Sequence, residues 1–243
     1  AGRSRLQTHT KRATSTGATQ SQATEGRRGQ ARTERATTPH GTARGRRIMK
    51  YGIVGASGAV GEEILKVLAD KKDELRVTSV HLFASERSAG ETVQSDFGVL
   101  TIEEFELKKM KQLQVVFLAV SGDFAKEHAR AIADAGPIVI DNSSAFRYDA
   151  SVPLVVPEIN GHLCAGSRLI ANPNCTTAIA AVALWPLHQQ FGINKLIMST
   201  YQAASGAGNP GMEELENQAK DYVHGNALET KVFPYPLLFN VIP

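Results

Sequence analysis

Cysteine is scarce in this sequence, because its 243 residues include only Cys164 and Cys175. Two cysteines in a chain of this length do not build a disulfide framework, so a reducing compartment is expected. Long hydrophobic runs are absent too, since no segment approaches the roughly 18 apolar residues that a membrane-spanning helix needs. The sequence predicts neither a disulfide-stabilised domain nor a membrane partner, and no metal site is predicted.

Acidic and large apolar residues are nearly missing from residues 1–48. This segment has 11 basic and 2 acidic residues, one Leu, one Ile, and no Val, Phe, Tyr, Trp or Met. It cannot bury enough apolar area to offset chain entropy, so we expect a disordered tail. The composition also fits a transit peptide, which would place the protein in a plastid or another organelle. The alternative is an extension without a role ahead of Met49, in a cytoplasmic protein.

The excess of basic charge is confined to that tail. Residues 49–243 carry 16 basic and 22 acidic side chains. A folded part of net negative charge argues against nucleic acid as a partner. The tail itself has no aromatic side chain that could stack on bases. No nucleic-acid partner is therefore predicted.

A strand, a glycine turn and a helix open the folded part. Met49–Val54 predicts a buried strand, Gly55–Gly61 (GASGAVG) follows at once, and apolar residues then recur at helical spacing up to about Asp70. Glycines allow a pyrophosphate close to the backbone, and a helix N terminus favours an anion. The spacing is GxxGxxG rather than GxGxxG, and a tight turn without a ligand is the alternative. In this context we favour a dinucleotide cofactor.

The loop after the second predicted strand, Val77–Phe83, bears on which cofactor binds. An NAD enzyme usually places an acidic residue there for the ribose 2′-hydroxyl. Ser85, Arg87 and Ser88 instead offer two hydroxyls and a guanidinium, the donors that a 2′-phosphate needs. Glu86 could bind a 2′-hydroxyl or pair with Arg87. We expect NADP rather than NAD.

Strands and helices continue to alternate, which predicts a doubly wound α/β fold of Rossmann type. The next two strands and the helix between them are predicted at Val115–Val120, Ile138–Ile140 and Asp123–Ala135. Ligands of such sheets bind outside the carboxyl ends of the strands, so we expect Ser121 and Arg147 to line that cleft. An arginine there suits a phosphate or a carboxylate. A surface ion pair between Arg147 and Asp149 is an equally good interpretation.

Cys175 is expected in the first turn of a helix. A short strand, Leu169–Ala171, leads into Asn172-Pro173-Asn174, and Ala178–Trp185 is an apolar helical run. At a helix N terminus the dipole and the free amides favour the thiolate, which is the nucleophilic form of cysteine. A buried, inert side chain is the commoner fate of a cysteine. The polar turn before Cys175 favours a functional role.

Small residues follow a further predicted strand, Lys195–Tyr201. The segment Gln202–Gly211 is rich in Ala, Ser and Gly, and a polar helix is predicted at 212–222. Such a turn lets the backbone come close to a ligand, and the Gln202 amide could orient a substrate. Turn formation alone is the alternative.

Six segments, in this order, resemble the aspartate-β-semialdehyde dehydrogenase family: GASGAVG, ASERSAG, IDNSSAFR, VPLVVPEIN, NPNCTT and STYQAASGAG. The resemblance runs from Met49 to Pro243 without a large gap. It implies an NADP-binding domain at 49–172 and the first part of an α+β catalytic and dimerisation domain at 173–243. It also implies a homodimer or homotetramer.

The resemblance assigns roles to individual residues. Cys175 would be the nucleophile, Arg147 would bind phosphate or the phosphoryl group, and Gln202 would hold the substrate. The residues implied to contact NADP are Ser57, Gly58, Ala59 and Val60 at the pyrophosphate, Arg87 and Ser88 at the 2′-phosphate, and Ser205 and Gly206 near the nicotinamide.

The implied reaction is the reduction of aspartyl phosphate to aspartate semialdehyde in lysine, methionine and threonine biosynthesis. In reverse, the Cys175 thiolate adds to the aldehyde, hydride transfer to NADP⁺ leaves a thioester, and phosphate releases the product as an acyl phosphate. One alternative is the related acetylglutamyl-phosphate reductase. Another is an NADP-binding module without catalysis.

Two residues of that family's active site have no counterpart here. Its general acid/base His and its substrate-carboxylate Arg lie after the stretch that matches Phe239–Pro243. His188 and His224 are the only histidines after Cys175 in these 243 residues, and neither lies in the family's His motif. The resemblance therefore implies that the 243-residue chain alone would not turn over.

Overall fold

The computed structural model describes residues 48–243, so the predicted disordered tail at 1–48 lies outside the described residues except for Ile48. Seven strands form one sheet. They are β1 (Met49–Val54), β2 (Val77–Ala84), β3 (Thr92–Ser95), β4 (Gly98–Glu104), β5 (Val115–Leu118), β6 (Ile138–Asp141) and β7 (Leu169–Ala171). Their order is β3-β4-β2-β1-β5-β6-β7, and all neighbours are parallel except β3 and β4.

Six α-helices connect or follow these strands. They are α1 (Ala59–Asp70), α2 (Leu107–Met110), α3 (Gly122–Asp134), α4 (Pro157–Asn160), α5 (Cys175–Phe191) and α6 (Gly208–His224). Within residues 48–243, no helix combines the length and the apolar character that a membrane crossing would require. The alternation of strands and helices confirms the predicted α/β fold.

The two faces of the sheet carry separate hydrophobic clusters, because successive side chains of a strand point to opposite faces. Ile53 of β1 belongs to the cluster that includes Leu65 and Leu68 of α1. Val54, its neighbour, belongs to the cluster that includes Ala129 and Ile132 of α3. Helices therefore cover both faces, as a doubly wound sheet requires.

The central strand β1 is where the chain changes direction across the sheet. Val54, the last residue of β1, is paired with Phe83 of β2 on one side and with Leu118 of β5 on the other. The connections after β1 and β5 therefore leave in opposite directions and open a crevice between them. In open α/β sheets this crevice is where ligands bind.

One predicted strand is not formed. Residues Lys195–Tyr201 adopt no regular structure and pair with no strand among residues 48–243. Ile197 and Tyr201 are 83% and 84% exposed. The strand prediction is therefore wrong, because a β-branched and aromatic composition needs a neighbouring strand to bond its backbone groups.

Candidate active site

A cleft of about 670 Å³ occupies the crevice at the carboxyl ends of β1, β2, β4 and β5. The glycine turn after β1 forms one wall, and the loop after β2 forms another. The lining residues are Val54, Gly55, Ser57, Gly58, Ala84, Ser85, Glu86, Arg87, Glu104, Phe105, Ala119, Val120, Ser121 and Phe124. A cleft of this size at this position suits a small-molecule ligand.

The three glycines of the turn differ in whether the fold has room for a Cβ at their position. Gly55 has a φ of +87°, and a Cβ there would lie 2.1 Å from the carbonyl oxygen of Ala119. A Cβ at Gly61 would lie 2.3 Å from the carbonyl oxygen of Gly55. At Gly58 the nearest atom would be 3.6 Å away. The fold itself needs Gly55 and Gly61, whereas Gly58 leaves open space on the cleft wall.

Helix α1 begins at this wall. Gly58 is its N-cap, with extended backbone (φ −93°, ψ 158°) and no side-chain hydrogen bond to the helix. The first N–H groups of a helix have no acceptor within it and favour an anion. Of the predicted pyrophosphate contacts, Ser57 and Gly58 line the cleft. Ala59 and Val60 are the first two residues of α1 and do not line the cleft. Val60 is 52% exposed.

The loop after β2 brings Arg87 to the cleft. Ser85, Glu86 and Arg87 line it and are exposed, whereas Ser88 is buried and does not line it. Among the described residues Arg87 and Glu86 form no ion pair. The guanidinium therefore stays available to an anionic ligand.

The structure separates the two residues that were expected to share this cleft. Ser121 lines it and caps α3 by accepting a hydrogen bond from the N–H of Phe124 at 3.4 Å. Arg147 does not line it, so that part of the prediction is wrong. Its guanidinium lies at the ends of β6 and β7, where the carbonyl oxygens of Asn142 and Asn172 hold it.

The predicted alternative for Arg147 is also wrong. Asp149 pairs with Arg130 of α3, at 2.7 Å between Nη2 and Oδ2. The same carboxylate accepts hydrogen bonds from the backbone and the hydroxyl of Ser151, at 2.9 and 2.6 Å. Because Arg130 and Ser151 occupy Asp149, Arg147 keeps its charge for other partners.

Cys175 lies in the first turn of α5, as predicted; it is the first residue of the helix and is exposed. The Asn174 side chain caps the helix by accepting a hydrogen bond from the N–H of Thr176 at 3.0 Å. The Thr176 hydroxyl oxygen lies 4.0 Å from the Cys175 sulfur. Cys175 is therefore an exposed thiol at the N terminus of a 17-residue helix.

A second cleft, of about 560 Å³, contains Gln202 and Gly206. It shares no lining residue with the first cleft, and it does not include Ser205. The Gln202 amide lies directly against Gly206. A Cβ at position 206 would be only 1.8 Å from Nε2 of Gln202. The structure thus brings Gln202 and Gly206 together, but it does not bring them into one cavity with Arg87 or Ser57.

Two buried polar residues of α6, Glu214 and Gln218, bind the backbone of residues 231–238, which contribute Phe233 and Leu237 to the lining of the second cleft. Neither residue was predicted from the sequence. Glu214 accepts hydrogen bonds from the backbone N–H groups of Lys231, Val232 and Phe233. Gln218 accepts from the N–H groups of Leu237 and Leu238, at 2.8 and 3.1 Å, and donates to Glu229. A Glu and a Gln four residues apart share one helix face, which was the available signal.

Glu214 links the stability of this part of the chain to pH. Burial raises the pKa of its carboxyl, but the N–H groups of Val232, Lys231 and Phe233 lower it, and the net pKa lies below the ordinary value. A carboxyl with a lowered pKa stabilises the fold above its ordinary pKa of about 4.3 and loses that contribution as pH falls through the folded-state pKa.

We expect Glu214→Gln to lower the midpoint of thermal unfolding at neutral pH, because a neutral amide accepts from these N–H groups less well. The difference from the unsubstituted chain should shrink as the pH falls below about 4. Glu216→Gln is the control, since the Glu216 side chain is 75% exposed and forms an ion pair with Lys220. A difference that stays constant with pH would contradict the prediction.

The described residues together offer a nucleophile, a cation and a dinucleotide-sized cleft. Cys175 supplies the thiol, and the Arg147 guanidinium is hydrogen-bonded to the carbonyl oxygen of Asn172, three residues before it. No group of three or more His, Cys, Asp or Glu side chains in residues 48–243 is placed to hold a metal ion. The arrangement suits covalent chemistry on a substrate that carries an anionic group.

Comparison with known proteins identifies the family. The family model described as "Semialdehyde dehydrogenase, NAD binding domain" matches residues 50–166. The one described as "Semialdehyde dehydrogenase, dimerisation domain" matches residues 184–243. The first match contains the glycine turn and Arg87, and the second contains Gln202 and α6.

Curated relatives and a solved structure agree with these matches. The aspartate-semialdehyde dehydrogenase of Synechocystis is 42% identical over 196 residues, and aspartate-semialdehyde dehydrogenase 2 of Vibrio cholerae is 40% identical over 194 residues. These matches cover 80% and 79% of this chain, and the chain spans 57% of the length of each relative.

The crystal structure of Vibrio cholerae aspartate semialdehyde dehydrogenase II complexed with ASA superimposes with a TM-score of 0.75 at 36% identity. The superposition covers 80% of this chain and 58% of the Vibrio cholerae chain. The sheet topology, the family matches and these relatives lead to one conclusion: the chain belongs to the aspartate-semialdehyde dehydrogenase family.

Proposed function

We propose that the protein catalyses the NADP-dependent reduction of aspartyl phosphate to aspartate semialdehyde, and the reverse phosphorylating oxidation, in amino-acid biosynthesis. The observation that carries the proposal is the placement of an exposed Cys175 at the N terminus of α5, three residues after the Asn172 carbonyl that holds Arg147. The Vibrio cholerae relative, solved in complex with ASA, supports this substrate class.

Residues of the first cleft fit NADP. The backbone at Ser57 and Gly58 would hold the pyrophosphate, because Gly58 leaves the cleft wall open and the α1 N terminus favours an anion. Arg87 would pair with the 2′-phosphate. When bound, NADP would accept the hydride that leaves the aldehyde carbon, or donate it in the biosynthetic direction.

The chain's own groups would perform the covalent steps. In the oxidative direction the Cys175 thiolate attacks the aldehyde carbon, and a thioester to Cys175 remains after oxidation. Arg147 orients inorganic phosphate for attack on the thioester carbonyl, and the departing thiolate regenerates free Cys175. In the biosynthetic direction the thiolate displaces phosphate from aspartyl phosphate, and Arg147 stabilises the leaving anion.

A homodimer is also proposed. The family description of residues 184–243 as a dimerisation domain supports it. Exposed apolar side chains of α5 support it as well: Ile179, Val182, Leu187 and Phe191 are 73%, 41%, 49% and 76% exposed. A patch of this kind marks a surface that another protein surface covers.

Cofactor choice tests the role of Arg87. We expect Arg87→Ala to weaken NADPH binding by about 10–100-fold, because a charge-assisted hydrogen bond contributes about 1.5–3 kcal/mol. NADH binding should change little, which makes NADH the matched control ligand. Titration of cofactor fluorescence on the 243-residue chain measures both. Equal affinities for the two cofactors, together with weaker NADH binding in Glu86→Gln, would assign NAD instead.

Turnover tests the reaction. The residues described here, joined to the C-terminal part of the Synechocystis relative, should form NADPH from aspartate semialdehyde and NADP only when phosphate is present. The 243-residue chain measured alongside should be inactive, as the resemblance implies. A chimera that folds and binds NADPH but shows no phosphate-dependent turnover would contradict the proposed function.

A further inference from the structure

Two asparagine side chains tie together the carboxyl ends of three neighbouring strands. Nδ2 of Asn142, just after β6, donates to the carbonyl oxygen of Leu118 at the end of β5, at 3.2 Å. Nδ2 of Asn172, just after β7, donates to Oδ1 of Asn142 at 2.9 Å. A chain of amide hydrogen bonds therefore crosses the sheet from β7 to β5.

The Arg147 guanidinium lies across the same two loops. Its Nε donates to the carbonyl oxygen of Asn172 at 3.0 Å, and its Nη2 donates to the carbonyl oxygen of Asn142 at 2.9 Å. A guanidinium has five N–H donors, so three remain for a ligand. The two acceptors belong to different loops. Their spacing is set by the backbone hydrogen bond from the N–H of Asn172 to the carbonyl oxygen of Asp141, at 2.8 Å, and by the hydrogen bond between the asparagine side chains.

Among residues 48–243, no carboxylate forms an ion pair with Arg147. Asp149 is held by Arg130 at 2.7 Å. Asp141 is fully buried and accepts from the backbone and the hydroxyl of Ser143, at 2.9 and 2.8 Å. The bridging side chains are neutral amides, which position a cation without neutralising it.

The same chain of hydrogen bonds ends near Cys175 on one side and near the first cleft on the other. Asn172 is followed by the buried Pro173, by the N-cap Asn174 and by Cys175. At the other end, Leu118 is followed by Ala119 and Val120, which line the first cleft. The asparagine bridge thus lies between the dinucleotide cleft, the cation and the nucleophile.

We propose that Asn142 and Asn172 are positioning residues that hold the Arg147 guanidinium ready for a tetrahedral oxyanion. They act through the backbone carbonyls that Arg147 contacts, and they do not touch the ligand. The inference rests on the proposed function, which assigns phosphate to Arg147. It adds a reason for neutral amides at both positions, since a carboxylate would compete with phosphate for the cation.

Inorganic phosphate is the probe, titrated on the 243-residue chain by calorimetry. Asn172→Ala removes the donor to Asn142 and keeps the backbone carbonyl, so the Kd for phosphate should rise about 3–10-fold. Asn172→Asp should raise it more, because it adds a competing charge. Arg147→Ala is the positive reference, and exposed Asn217→Ala on α6 is the matched control.

A spectroscopic measurement follows Arg147 without a ligand. The Nε–H of a guanidinium that is held by hydrogen bonds exchanges slowly with water and gives an NMR signal. Asn172→Ala should shift the Arg147 Nε–H signal and speed its exchange. The midpoint of thermal unfolding should stay unchanged. If Arg147→Ala weakens phosphate binding but Asn172→Ala changes neither the Kd nor this signal, the positioning role is overturned and the phosphate assignment stands. If phosphate does not bind, or Arg147→Ala leaves its Kd unchanged, the phosphate assignment fails and the positioning role fails with it.

Discussion

Replacing Cys175 with alanine is expected to lower the phosphate-dependent oxidation of aspartate semialdehyde by about 10⁴-fold or more, because removal of a covalent nucleophile leaves only binding and orientation. The measurement belongs in the chimera with the Synechocystis C-terminal part, where turnover is expected. Loss of activity should come with unchanged NADPH affinity, since Cys175 does not line the first cleft.

Cys164 is the matched control for that prediction. It is half-buried and follows α4, whereas Cys175 is exposed at the start of α5. Cys164→Ala should keep the activity, and iodoacetamide should alkylate Cys175 faster than Cys164 in the 243-residue chain at neutral pH. A Cys175→Ala chimera that retains activity within tenfold of the parent would remove the covalent step from the proposed function.

Gly61→Ala is expected to destabilise the chain by about 1–3 kcal/mol, which is the range for forcing extra atoms into a packed site. The added Cβ would lie 2.3 Å from the Gly55 carbonyl oxygen and 2.8 Å from Cα of Ala56, and both of these are backbone atoms. The loss would occur although alanine is the better helix former by about 1 kcal/mol. Urea denaturation of residues 49–243 measures it.

Gly58→Ala separates ligand binding from folding in the same turn. Its Cβ would meet only the Gly55 carbonyl oxygen, at 3.6 Å, so stability should change by less than about 0.5 kcal/mol. NADPH affinity should nevertheless fall, because the methyl group would occupy the cleft wall where the pyrophosphate approaches. Equal stability losses in the two variants would mean that the turn needs all three glycines for folding alone.

Strong local patterns in the sequence predicted the part of the fold that positions the cysteine and the glycine turn. The strands Met49–Val54 and Leu169–Ala171 have the predicted bounds, and Cys175 lies in the first turn of α5, as predicted. These segments combine continuous apolar residues with turn or capping residues at their ends, so hydrophobic pattern and backbone chemistry agree.

Features that depend on distant partners were not predictable in this way. The segment Lys195–Tyr201 has the composition of a strand but pairs with no strand among the described residues. The hairpin of β3 and β4 was missed because its side chains are mostly exposed or half-buried, which weakens the apolar alternation. Asn142 and Asn172 are 30 residues apart, and no local sequence pattern at either residue predicts the hydrogen bond between their side chains.

The central place of β1 in the sheet has a consequence for synthesis of the chain on the ribosome. β1 ends at residue 54, but its second neighbour β5 ends only at residue 118. At about 5–20 residues per second, the ribosome needs roughly 3–13 s to make the residues between them. During that interval one edge of an apolar strand has unpaired backbone groups, which is the state that chaperones bind and that aggregates recruit. Variants that slow translation between β2 and β5 should therefore lower the soluble yield without altering the stability of the finished fold.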